Sequence, residues 1–265
     1  MMGWVRWLTV TSALAIIAPT LRADTIRAGF DSDVMPATDD DASPEFSIGF
    51  TANFYGATFS SLFVNNNGNF SVGVPFPDNV PVPLNTLPLV VIAPFFGNVD
   101  TSDPGSAVVT YGVGLVDGHL AFGATWPGVG YYAGKSDLLN EFQGIIIDRS
   151  DTGIGNFDIE FNYRRIEWDY GDPTGKDGSG QVPAVVGLTN GIGFTIQLPG
   201  SLDFGQFVDG GPSSLVTGSN VGVPGRLVYE IRNPDTSGPI VPTPGAAGLA
   251  LGGFALFLRV RRRFG

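Results

Sequence analysis

The chain has 265 residues with 43% hydrophobic content, 38 glycines, 20 prolines and no cysteine, which leaves room for one large all-β domain or two small ones and excludes a disordered chain or a disulfide scaffold. Six of its 14 basic residues (Arg6, Arg22, Arg259, Arg261, Arg262 and Arg263) lie in the two ends, while all 25 acids fall between Asp24 and Asp235, so that the body sets eight basic residues against 25 acidic ones, a formal charge of −17. A surface this acidic argues against nucleic-acid binding, which needs a basic footprint.

Residues 1–23 read as a secretory signal peptide. Arg6 precedes an apolar run from Trp7 to Ala18, and Pro19 and Leu21-Arg22-Ala23 follow, which predicts cleavage between Ala23 and Asp24. The run is shorter than the roughly 20 residues that span a bilayer, which favours a cleaved signal over a short anchoring helix. Residues 24–45 form an acidic lead-in with Asp31, Asp33, Asp39, Asp40 and Asp41, expected to be solvated and poorly ordered. Several carboxylates also suit a hard cation, so Ca²⁺ is the alternative there, and no cofactor is assigned.

The strands begin at Phe46, where Phe46, Ile48 and Phe50 alternate. Two β-forming runs, ending at Val64 and starting at Asn69, flank Asn65-Asn66-Asn67-Gly68, and Asn-Gly between such runs is a strong hairpin signal. Val74 to Pro88 carries five prolines and reads as loop or edge. The continuous apolar run Leu89-Val90-Val91-Ile92-Ala93 suits a central strand, and Pro94-Phe95-Phe96-Gly97-Asn98-Val99-Asp100-Thr101 follows it.

Two of these pieces, Val64-Asn65-Asn66-Asn67-Gly68-Asn69-Phe70-Ser71 and Ile92 to Thr101, resemble the signatures of the NIDO domain, the extracellular domain of nidogen, tectorin and some mucins. The family pattern is a V-N-x-N-G-x-I-S-F hairpin followed by I-A-P-F-W-x-D-x-D. Here Phe96 stands in place of the Trp and Asn98 in place of the first acid. Further pieces follow in family order: Val108 to Tyr111, Trp126 to Tyr132, Asn140 to Ile147, Phe157 to Trp168 and Ala184 to Gly191. The resemblance covers about Phe46 to Ile231 and implies an extracellular role in cell–matrix adhesion or matrix organisation, with an extracellular-matrix component as partner.

The most regular stretch is Asn156 to Asp172. Phe157, Ile159, Phe161 and Tyr163 alternate with Asp158, Glu160 and Asn162, the pattern of a strand with one wet face. After Arg164 and Arg165 the parity flips to Ile166, Trp168 and Tyr170, which predicts a β-bulge or tight bend. The last strand alternates Leu227, Tyr229 and Ile231 against Val228, Glu230 and Arg232. No second domain and no tandem repeat are visible. The whole predicts an all-β, mainly antiparallel, sandwich-like domain over 46–232 with long Gly/Pro loops, flanked by a signal-peptide helix and a C-terminal hydrophobic helix.

No catalytic constellation stands out. His119 is the single histidine and sits at a predicted hairpin end, without a G-x-S-x-G elbow or a cysteine nucleophile. Glu141, Glu160, Glu167, Asp169 and Asp172 are candidate carboxylate pairs for glycoside hydrolysis, but spacing does not bring two of them into one cleft. In the loop 172–180, Lys176 would occupy a ligand position of a calcium loop, which favours a plain Gly-rich hairpin loop. Trp126, Tyr131, Tyr132 and Trp168 are candidates for stacking on sugars, with the domain core as the competing destination for their rings.

Residues 233–240 form a polar linker to the segment 241–265. There Val241-Pro242-Thr243-Pro244-Gly245 precedes a small-residue apolar stretch and a basic end with Arg261, Arg262 and Arg263. This three-part arrangement resembles the PEP-CTERM sorting tail of bacterial exported proteins, with Thr243 where the usual motif has Glu. The resemblance implies an exosortase-type processing enzyme as partner, transient membrane insertion through the C-terminal helix, and a cell-surface or matrix destination. The chain is therefore expected to be a non-enzymatic exported surface or matrix protein. The alternatives are a lectin-like module that binds exopolysaccharide and, third, a matrix-polymer hydrolase.

Overall fold

The computed structural model describes residues 25–170 and 182–232. The expected cleavage point at Ala23 and Asp24, the loop 172–180, the sorting motif Val241 to Gly245, the arginines 261–263 and both expected terminal helices lie outside the described residues. Two antiparallel sheets face each other. The first has the order β1 (Asp33–Val34), β7 (Thr110–Val116), β8 (His119–Tyr131), β9 (Lys135–Asp148), β10 (Phe157–Ile166) and β13 (Arg226–Ile231), with β6 (Val99–Asp100) paired to the far end of β8. The second has the order β12 (Thr195–Gln197), β11 (Val185–Thr189), β5 (Val91–Phe96), β4 (Asn69–Ser71), β3 (Ala57–Asn65) and β2 (Phe46–Phe54). The expected all-β antiparallel sandwich is the architecture observed.

Alternation decides which side chains meet between the sheets. Phe122, Ala124 and Trp126 of β8, Phe142 and Ile146 of β9, and Phe157, Ile159, Phe161 and Tyr163 of β10 point inward, against Phe54, Leu62, Val64, Phe70, Ile92 and Phe95 of the second sheet. The Tyr163 hydroxyl donates to the Pro94 carbonyl at 2.7 Å and so joins β10 to β5 across the core. Complete burial pushes that phenol well above its usual range, because phenolate would be desolvated. The predicted bulge lies between Tyr163 and Arg165, where the pairing with β9 slips. β5 is buried along its whole length, because the Pro-rich loop lays Phe76, Val82, Leu87 and Leu89 on its outer side over Leu84, Val91, Ala93 and Phe96.

The acidic lead-in corrects the expectation of a poorly ordered segment. Residues 25–30 run across the outer face of the first sheet, and residues 35–43 turn past its edge to the Asn65–Asn67 hairpin of the second. β1 pairs with β7, and Phe30 is 2% exposed above Val116, Ala121, Ile145 and Ile147. The sheet is shaped for that ring: a Cβ at Gly123 would stand 2.7 Å from it. A polar, five-aspartate segment orders because its Phe30 and Met35 find apolar seats and its backbone finds partners.

The Asn65–Asn69 turn is the second departure. A hairpin forms there as predicted, but its asparagines are buried. Asn66 Nδ2 donates to the carbonyls of Thr38, Asp39 and Val99 at 3.2, 2.7 and 2.8 Å. Asn67 Oδ1 accepts from Val99 N at 2.8 Å, and its Nδ2 donates to Asp40 and to Pro77 O. Gly68 has φ +83°, and a Cβ on it would lie 1.8 Å from the Phe95 carbonyl oxygen. Gly68→Ala is therefore expected to cost at least about 3 kcal/mol in urea unfolding. Gly118→Ala, at φ +88° with open space around it, should cost only about 1 kcal/mol. Asn66→Ala should cost about 1–3 kcal/mol, because the buried Val99 carbonyl and the partly buried Asp39 carbonyl lose the Asn66 donor.

Candidate functional site

The polar residues of β10 share a face with specific neighbours. Register places Asp158 between Ile147 of β9 and Glu230 of β13, Glu160 between Ile145 and Val228, and Asn162 between Gln143 and Arg226. The sequence predicts this face to be wet, yet Asp158 is 6% and Glu160 3% exposed. Two things cover it: residues 25–27 of the lead-in, and a set of arginines folded back over the sheet.

Glu160 accepts from Arg27 Nε at 2.6 Å and Nη2 at 2.9 Å, a bidentate pair, and from Asn162 Nδ2 at 2.7 Å. Arg226 Nε lies 3.3 Å from the same carboxylate and donates to Asn162 Oδ1 at 2.9 Å. Asp158 sits between Arg149 Nη1 at 2.7 Å and Arg232 Nη1 at 2.6 Å. Arg149 comes from the β9–β10 turn and also holds Asp151, through Nε at 3.1 Å. The Glu160 hydrogen bond, acting against desolvation, raises the Arg27 guanidinium pKa. The hydrogen bonds to Asp151 and then Asp158 raise that of Arg149, and the Arg149 bond in turn lowers the Asp151 carboxyl. Gln143 completes the floor, accepting from Arg27 N at 2.9 Å and donating to Arg27 O at 2.8 Å.

Above this floor is a cavity of about 350 Å³. Arg27, Arg149, Arg226, Asp158 and Glu160 line its base, and Asp117 of the β7–β8 turn and His119, the first residue of β8, stand at its rim. Its remaining wall is apolar: Val116, Ile147, Val221, Val223 and Val228. The wall is held by Asn220, whose side chain donates to Val228 O at 2.7 Å and accepts from Val228 N at 2.9 Å, as a neighbouring strand would. His119 Nδ1 lies 3.8 Å from Asp151.

The candidate stacking aromatics are not part of this cavity. Trp126 is fully buried, stacked on Phe142 at 4.8 Å, and its indole N–H donates to Asn66 O at 2.9 Å. Trp168 is 1% exposed, packs edge-on to Phe95 and donates to Val129 O. Tyr131 is 2% exposed, with its hydroxyl on Asp137 at 3.0 Å. These three leave no ring face open to a sugar, because they fill the space between the sheets. Tyr132 is half-buried, with the Lys135 ammonium 6.0 Å from its ring centre.

The candidate catalytic carboxylates are also engaged. Glu167 accepts from Leu139 N at 2.7 Å. Asp169 accepts from Gly205 N and Phe207 N, and burial raises its pKa. Glu141 pairs with Arg164, and Asp172 lies outside the described residues. Among the described residues no group of three His, Cys, Asp or Glu side chains is arranged to hold a metal ion. Also among them, no helix is long and apolar enough to cross a membrane.

Residues 113–233 match the family profile of the nidogen-like domain. The chain is 27% identical to nidogen of Drosophila melanogaster over 231 residues, which is 73% of this chain and 16% of that protein. It is 29% identical to alpha-tectorin of Mus musculus over 229 residues, 74% of this chain and 10% of that protein. It is 29% identical to nidogen-2 of Mus musculus over 188 residues, 55% of this chain and 13% of that protein. The chain thus corresponds to a small part of each relative. No solved structure matches it.

Two outcomes follow from the charges. Glu160→Gln leaves two guanidiniums over a neutral amide in a buried site, and chemical unfolding should show a loss of about 3 kcal/mol. The Asp39 carboxyl is pushed up to about 6, first by desolvation and then by Asp40 and Asp100. An acid whose folded pKa is raised binds more protons folded than unfolded, so its contribution to stability falls as pH rises from about 4 to 6 and stays low above. Asp39→Asn should therefore raise the melting temperature at pH 7 and leave it unchanged at pH 3.5. The rise should be small, since Asp39 is at the surface.

Proposed function

We propose that this chain is an exported bacterial cell-surface or matrix protein that acts by non-covalent binding, in cell–matrix adhesion or matrix organisation, and not by turnover. The observation that carries this reading is the nidogen-like match over residues 113–233. That stretch includes β8 to β13 and every residue lining the cavity except Arg27. The relatives are nidogens and alpha-tectorins, and the sequence motifs carry the same resemblance. The signal-like residues 1–23 and the sorting-like residues 241–265 support export with processing at both ends. An exosortase-type enzyme would act at the tail, after transient membrane insertion.

A lectin-like role is the second reading. The aromatic basis for it is weak, because Trp126, Trp168 and Tyr131 are core residues. The charged cavity favours it instead: it is a preformed concave site that presents donors, acceptors and an apolar wall together.

Fractionation of the source cells, with mass spectrometry of both protein ends, tests the main reading. A chain in the surface or matrix fraction that starts at Asp24 and lacks the arginine-rich end is the expected result. A cytoplasmic chain with both ends intact would overturn export and the matrix role with it.

A further inference from the structure

We infer that the cavity on the outer face of the first sheet binds a carboxylate-bearing sugar, a uronic acid residue of a saccharide chain. This deepens the binding reading above and rests on it.

The first support is where the cations are. Between Asp24 and Asp235 the chain has eight basic residues against 25 acids. Four of those eight, Arg27, Arg149, Arg226 and Arg232, converge on one pair of buried carboxylates. Two guanidiniums share each buried carboxylate, and the exposed Asp117, Asp151 and Glu230 balance the remaining charge from outside, within 4 Å of Arg27, Arg149 and Arg232. A network that served only to pin the lead-in and β13 would close over itself. This one stays open to a cavity of about 350 Å³, and no described residue accepts a hydrogen bond from Nη1 of Arg27 or Nη1 of Arg226. Guanidinium groups with donors to spare match a carboxylate.

The second support is what surrounds those donors. Asp117, 79% exposed, stands at the rim and offers acceptors to hydroxyl groups. Val116, Val221 and Val223 offer an apolar surface suited to sugar C–H groups. A uronic acid uses all three features at once. A simple carboxylate, or the side chain of an acidic peptide, would engage the arginines and leave the rim acceptors unused. A densely charged polyanion would meet the −17 body around the cavity, so a chain with widely spaced carboxylates is the better match.

Titration calorimetry on the purified chain with D-glucuronate, D-glucose and acetate tests this. D-glucuronate should bind at least about tenfold more tightly than either of the others. Val221→Asp places a negative charge at a wall residue that is 41% exposed. It should weaken glucuronate binding by about tenfold or more, with the melting temperature unchanged. Arg149→Gln should weaken glucuronate selectively while Asp158 keeps Arg232. Equal binding of glucose would overturn the role of the carboxylate, and equal binding of acetate would overturn the sugar. No glucuronate binding, or binding indifferent to Val221→Asp, would overturn the site. Each of those results leaves surface fractionation untouched, so the matrix reading and the ligand class fail separately.

Discussion

The buried Asn66-Asn67 pair is the constraint from which the rest of the arrangement can be derived. Asp39, Val99 and Pro77 each present a carbonyl to an Asn side-chain donor, and the Thr38 carbonyl takes one from Asn66 beside those from Thr101. An unmet carbonyl there would cost about 1–3 kcal/mol. The amides donate to these carbonyls, and in doing so tie together the lead-in, the Pro-rich loop and β6. The backbone takes part as well: Asn66 O holds the Trp126 indole, Gly97 N donates to Asn67 O, and Phe95 N donates to Gly68 O. One turn therefore bonds to both sheets, through the Trp126 indole on the first and the β5 backbone on the second, while Trp126 and Phe142 stack as direct cross-strand neighbours of β8 and β9. It also explains why an aromatic residue with a polar handle, an obvious sugar platform by composition, spends that handle inside the protein.

Local pattern was enough for the strands and for the places where they break. The alternation from Phe157 to Tyr163, the slip at Arg164-Arg165, the Asn-Gly hairpin and the central position of β5 are all short-range properties, set by side-chain parity and turn chemistry. What covers a face is not a short-range property. Asp158 and Glu160 share a parity with Asn162, and parity alone puts them in water. Glu160 is covered by Arg27, 133 residues away in sequence, and by Arg226, 66 residues away on the other side, while Asp158 is covered by Arg149 of the adjoining turn and by Arg232 of the last strand's end. The same holds for the lead-in, whose acids suggest solvent while Phe30 decides its fate. The one sequence signal that pointed to the cavity was the scarcity of basic residues in the body: with only eight, each needs an explanation, and four share one.

Buried ion pairs are weak evidence for stability, because desolvation offsets much of the attraction. Their value here lies in definition. Glu160 fixes Arg27 and with it the path of residues 25–30. Phe30 then seats over Gly123, and β1 reaches β7. All four cations are arginine, whose planar fork can hold two acceptors at once where an ammonium would act as a point charge. Arg27 grips both oxygens of Glu160, and Arg149 bridges Asp151 and Asp158. Such forks hold the carboxylates in a fixed orientation with guanidinium N–H groups to spare, a preorganised geometry that a ligand need not order for itself. The apolar wall is fixed in a similar way: Asn220 occupies the free edge of β13 at Val228, so Val221 and Val223 are carried by a segment that is pinned to the sheet. The acidic surround and the concentrated cations then act together. The body repels dense polyanions, and in the cavity, where Arg27, Arg149 and Arg226 face Asp117, Asp158 and Glu160 in equal number, an isolated negative group would meet guanidinium N–H groups that the buried carboxylates leave over.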